Sequence, residues 1–164
     1  MSALHLVIGP VGAGKSTFAR RQALQERAVF LDLDTWMVRL FGKDARPAEN
    51  VLDWYLERRG RCGELLWDLT REILLSGTSV FLEMGLVARA EREAFYAKVR
   101  GEDFRLVVYL LEAAREVRRE RVVERNRAGG EHTQIVPLPF FEMASDAWEP
   151  PSEAEREAMG IVDV

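Results

Sequence analysis

Cysteine is nearly missing from this chain of 164 residues, where Cys62 stands alone. That excludes an internal disulfide and any metal site built from several thiolates. Cys62 lies among apolar residues of an expected helix and reads as a buried, inert thiol. Lysine is almost as scarce: Lys15, Lys43 and Lys98 are the three, so twenty of the 23 basic residues are arginine. Arginine suits bidentate contact with phosphate, although genome composition produces the same bias. An excess of positive charge is absent too. The formal net charge is −4, which argues against extended nucleic-acid binding. No apolar run reaches the roughly 20 residues of a membrane-spanning helix. The first eight residues have no basic start of the kind a signal peptide carries. A soluble, cytoplasmic protein with no membrane partner is expected, and neither repeats nor low-complexity tracts interrupt it.

What is there is an alternation. Short apolar runs at 4–8, 28–33, 78–84 and 104–112 read as buried strands, and the terminal "IVDV" could add a fifth. Helical stretches lie between them at 15–26, 34–41, 49–75, 88–100 and 113–128. Gly60 and Gly63 could split the third of these. Continuous apolar strands alternating with helices point to an α/β domain over 1–164, with a parallel sheet covered on both faces. Two glycines and two prolines make 128–139 a loop and a candidate lid. His132 within it reads as a surface residue. Further on, Ser152 fits a helix N-cap and Glu155 the matching capping-box position.

The first strand runs into "GPVGAGKST", residues 9–17. Gly9, Gly14, Lys15 and Ser16 satisfy G-x-x-x-x-G-K-[ST] at every required position. In such a cradle the backbone from Gly9 through Pro10, Val11, Gly12 and Ala13 to Gly14 wraps a phosphate with its N–H groups. The following helix, opening with Lys15, Ser16 and Thr17, adds the positive end of its dipole. Lys15 would reach the terminal phosphates and Ser16 would hold magnesium. ATP and Mg2+ are the expected ligands. A guanine-reading Asn/Thr-Lys-x-Asp element is lacking, and so is the Asp-Glu strand end of a motor ATPase.

A small kinase needs, besides the cradle, a carboxylate facing the acceptor hydroxyl and arginines closing over the phosphates. Asp32 and Asp34 sit at the carboxyl end of the second strand, the edge where parallel sheets bind ligands. Asp34 also fits an N-cap for a helix opening at Thr35. Glu83 ends the third strand, where it could serve magnesium or orient a hydroxyl. Arg118, Arg121 and Arg125 form one stripe on a helix leading into the 128–139 loop. Arg89 and Arg92 could steady an acceptor or a phosphate.

Taken together, the cradle, "LDLDTW", "ELLWDLTREILLSGTSVFLEMGLVARAEREAF", "RRERVVERN" and "FEMASDAWEPPSEAE" resemble the bacterial AAA-type ATP-binding proteins of P-loop kinase type. These are similar to polynucleotide kinase, zeta-toxin, gluconate kinase and chloramphenicol phosphotransferase families. The resemblance implies a P-loop NTPase fold with a five-stranded parallel sheet and an arginine-bearing lid. It also implies phosphoryl transfer from ATP to a hydroxyl of a small-molecule or nucleotide-like substrate. Asp34 matches the acid that meets the acceptor, and Arg121 and Arg125 match the lid pattern that here ends in Asn126 on the nucleotide. Glu83 stands where relatives usually carry Asp. Two other readings are compatible with these residues: a nucleotide-binding switch with little transferase activity, and a kinase for the 5′ end of a nucleic acid.

Overall fold

A computed structural model gives the fold and describes residues 2–129 and 135–164. His132 and the centre of the expected 128–139 lid lie outside the described residues. Five strands, β1 (Ala3–Ile8), β2 (Val29–Asp32), β3 (Val80–Glu83), β4 (Arg105–Leu110) and β5 (Val162–Asp163), form one sheet in the order β2-β3-β1-β4-β5. Every pairing is parallel. The central strand β1 is buried at all six positions, so its apolar run continues without a polar face, as a sheet covered on both sides requires.

Alternation along the strands sends side chains to two cores. Leu4, Leu6 and Ile8 join Val80, Leu82, Val108 and Leu110 on one face. There they pack against α3 (Val51–Leu75) and α4 (Arg89–Arg100) through Leu66, Trp67, Leu74, Phe95 and Val99. Val7 and Phe81 face the other way, onto Phe18, Ala19 and Ala23 of α1 (Lys15–Glu26). Cys62 is buried on the first face, and burial raises its thiol pKa, in keeping with an unreactive cysteine.

α3 is one unbroken helix and not two. Gly60 meets nothing within 4 Å at its missing Cβ, whereas the missing Cβ of Gly63 would lie 3.3 Å from the Met84 Cε. Gly63 therefore lets α3 approach the end of β3, which offsets its low helix propensity. α2 (Leu33–Phe41) packs on α3. After α5 (Arg115–Ala128) the chain forms a helix that the loop assignment missed, α6 (Leu138–Asp146), which starts inside the prolines. α7 (Glu153–Met159) opens with Ser152 accepting from the Glu155 N–H at 3.2 Å. The Glu155 carboxylate does not turn back to complete a capping box; it goes to α4 instead.

Candidate active site

The site grows from the exit of β1. Gly9, Gly12 and Gly14 take φ of 148°, 78° and 96°, a region that side-chain-bearing residues avoid. Space forbids a side chain as well: a Cβ on Gly9 would stand 2.2 Å from the Leu111 carbonyl oxygen, and one on Gly12 would stand 2.7 Å from that of Arg118. The chain can thus curl around an empty centre and enter α1, whose opening N–H groups carry the positive end of the helix dipole. Lys15 is folded onto this loop, its Nζ donating to the Pro10 carbonyl at 3.0 Å.

Glu83 arrives from β3, one strand away. Its Oε2 accepts from the Ser16 hydroxyl at 2.7 Å, and its Oε1 lies 3.5 Å from the Lys15 Nζ. Burial raises the Glu83 pKa, while Lys15 and the Ser16 hydroxyl oppose that rise. Asp32 pairs in register with Glu83 across the strand ends. It is Asp32, not Asp34, that caps α2, accepting from the Thr35 N–H at 2.6 Å. Giving the cap to Asp32 leaves Asp34 in the first turn of the helix, open to solvent and without a hydrogen bond or ion pair among the described residues. Desolvation raises its pKa, against the pull of Lys15, Arg59 and Arg125 and with help from Asp32.

An all-parallel sheet of this order, a glycine cradle at its central strand and two acids at the neighbouring strand ends decide the assignment. The chain belongs to the AAA domain family, which matches residues 4–149. A comparison with curated proteins gives no match. Among solved structures, this AAA domain superposes on a candidate kinase from Chloroflexus aurantiacus with a TM-score of 0.75 at 20% identity, covering 99% of this chain and 84% of that one. Kti12 of Chaetomium thermophilum in complex with ADP-AlF3 gives 0.68 at 19%, covering 98% and 88%. A gluconokinase from Sinorhizobium meliloti gives 0.59 at 18%, covering 99% and 81%. The shared feature is the P-loop NTPase fold.

The arginines of this AAA domain divide into those at the cradle and those elsewhere. Arg118, one of the expected stripe, is buried and acts as a strut: its Nη1 donates to the Val11 carbonyl at 2.9 Å and to Ser145 at 3.0 Å. Arg121 is exposed, with Nη1 3.3 Å from the Ala13 carbonyl oxygen. Arg125 is exposed one turn later, and its charge reaches Asp34. Asn126 does not face the cradle with a free amide. Its side chain brackets the backbone of Val136, donating to the carbonyl at 2.7 Å and accepting from the N–H at 3.1 Å.

The two arginines expected beside the acceptor are engaged elsewhere. Arg92 is 0% exposed and grips both carboxylate oxygens of Glu155 at 2.7 and 2.9 Å. Arg89 is on the surface, its Nε bonded to Glu93 at 2.6 Å. Arg59 reaches from α3 to the carbonyls of Met84 and Gly85 just past Glu83, at 2.7 and 2.9 Å.

Proposed function

We propose that this AAA domain is a magnesium-dependent phosphotransferase that moves the ATP γ-phosphoryl group to a hydroxyl of a small or nucleotide-like molecule. The observation that carries the reading is Asp34: a solvent-open carboxylate, relieved of capping by Asp32, beside the cradle lysine and within the field of Arg125. The kinase and gluconokinase among its structural neighbours support it.

The loop amides and Lys15 would hold the β- and γ-phosphates, with Lys15 exchanging the Pro10 carbonyl for phosphate oxygen. Ser16 and Glu83 fit magnesium. They form a small oxygen donor set, and no group of three His, Cys, Asp or Glu that could cage an ion occurs among the described residues. Such a set suits an ion that keeps waters and phosphate oxygens as ligands. When bound, the metal would offset phosphate charge. The acceptor oxygen bonds to the γ-phosphorus as the bond to ADP breaks, and the hydroxyl proton goes to Asp34. A carboxyl with a raised pKa is the better proton acceptor. Arg121 or Arg125 would balance charge on the transferred group.

ATP consumption measured against a panel of hydroxyl compounds tests the proposal. Asp34→Asn should keep ATP binding and lose about 10²–10⁴ in transfer, and Lys15→Ala should abolish nucleotide use. Full transfer by Asp34→Asn removes that residue's role, and unchanged turnover by Lys15→Ala removes the proposal. If no acceptor stimulates turnover and ATP instead controls binding of a protein partner, the switch reading replaces it.

A further inference from the structure

Arg59 and Asp34 carry opposite charges at the same edge of the sheet: Asp32 and Glu83 are register partners, Asp34 follows the first by two residues, and Arg59 bonds the Met84 and Gly85 carbonyls that follow the second. They do not close on each other: no ion pair or hydrogen bond joins them among the described residues. Arg59 is bonded elsewhere. Nη2 of Arg59 is spent on the Met84 and Gly85 carbonyls, and Gly85 presents its carbonyl from a φ of 61°. A Cβ on Gly85 would stand 3.1 Å from that Nη2, so a side chain there would crowd the seated guanidinium. Gly63, one turn further along α3, brings the helix close enough for the reach.

One amino group thus anchors the guanidinium. Its Nε and Nη1 make no hydrogen bond with described residues and reach solvent. The neighbouring Arg58 is committed to protein, stacked 4.1 Å from the Trp54 ring centroid with Nη1 on the Trp54 carbonyl. Arg59 is therefore a pre-positioned cation with unused donors at the exit of β3, within the field of an unbonded carboxylate.

We infer that Arg59 binds the acceptor and that the acceptor carries an anionic group, a carboxylate or a phosphate, near the hydroxyl presented to Asp34. The inference rests on the phosphotransferase reading for the hydroxyl but not for the anion. A planar guanidinium with two free N–H edges matches either oxyanion. Arg59 is held too firmly to pair with Asp34, and its charge remains available for the ligand.

The test is calorimetric binding to the full chain with Mg2+ and ADP present, so that the cradle is filled and cannot take the anion itself. Three matched pairs serve as probes: gluconate against sorbitol, ribose 5-phosphate against ribose, and uridine 5′-monophosphate against uridine. The carboxylate and phosphate arms distinguish the two oxyanions. At least one anionic member should bind tenfold or more tightly than its neutral partner, and Arg59→Gln should erase the difference. Arg59→Lys should restore part of it, which loss of a structural bond alone would not explain. Absence of preference in all three pairs overturns the inference, as does a preference that persists in a folded Arg59→Gln protein. ATP consumption on the same pairs separates the two claims. Anion preference without stimulated turnover would defeat the transfer reading and leave Arg59 in place. Turnover with neutral acceptors and no anion preference would do the reverse.

Discussion

Replacing Glu155 with alanine should cost more stability than any other single change on the α4–α7 side of the molecule. The Glu155 carboxylate accepts three hydrogen bonds, from Arg92 Nε at 2.7 Å, Arg92 Nη2 at 2.9 Å and the Tyr96 hydroxyl at 3.0 Å. The Arg92 side chain is 0% exposed and that of Glu155 6%. In Glu155→Ala the guanidinium would lose its bidentate partner and keep the Val87 carbonyl at 3.3 Å, the face of Trp148 at 5.4 Å and the unbonded charge of Glu149. None of these replaces a carboxylate gripped at two oxygens, and breaking such a pair from one side costs about 3–5 kcal/mol. For a chain of this size that corresponds to a fall in Tm of roughly 6–20 °C, at about 2–4 °C per kcal/mol. Urea unfolding followed by circular dichroism and by tryptophan fluorescence gives the value. The double change Arg92→Met with Glu155→Leu should recover most of the loss, because it removes both charges together. The pair also sets an acid limit. The Arg92 hydrogen bonds hold the Glu155 carboxyl below its ordinary value of 4.5. Its contribution is complete above about pH 4.5 and is lost as the pH falls from there through the lower folded value. A Glu155→Ala protein within 1 kcal/mol of the parent, with the same dependence on urea, would refute the reasoning.

Gly9→Ala should destabilise the fold by at least the roughly 1–3 kcal/mol of a strained positive-φ residue. Its Cβ must also displace the Leu111 carbonyl, so a thermal melt within 1 °C of the parent would contradict the geometry. His5 is stacked 4.3 Å from the Phe81 ring and close to Tyr109. Burial lowers its pKa from 6.5, with Glu26 opposing and Arg105 adding to the fall. The unfolded chain therefore takes up the proton first, and the stability contributed by neutral His5 is full above pH 6.5 and declines as the pH drops below it. His5→Gln should flatten stability between pH 6.5 and the lower folded value; an unchanged slope there would assign the dependence to another group.

The strands and the cradle were legible because their signals are local. An apolar run followed by spaced glycines, a lysine and a hydroxyl specifies strand, turn and helix within about fifteen residues, and α1 spans Lys15–Glu26 as its pattern indicates. The errors fall where a partner lies far along the chain. Arg92 in "GLVARAERE" reads as an arginine free to steady an acceptor or a phosphate because its partner is 63 residues away, and burial of that pair is a tertiary fact. Asp32 and Asp34 both suit a cap by residue type, and a helix start at Leu33, two residues before Thr35, gave the cap to Asp32. α6 was hidden by Pro137 and Pro139, which read as loop residues but are tolerated at a helix start, where N–H groups have no intrahelical partner. Nothing local in the sequence of α3 distinguishes an arginine that reaches back to β3, as Arg59 does, from one in water.

The same tertiary facts change what the arginine stripe can do. The first turns of α5 are part of the cradle wall: Arg118 bonds to Val11, and the Arg118 carbonyl fills the space that a side chain on Gly12 would need. Val122 adds to this, packing with Val136, Phe141 and Val11, and Asn126 ties Val136 to the helix by two further bonds. These contacts fasten α5 to the phosphate loop. Arg121 and Arg125 are carried on a support that belongs to the loop they face. Side chains held on a rigid element keep their geometry better than those on a moving one.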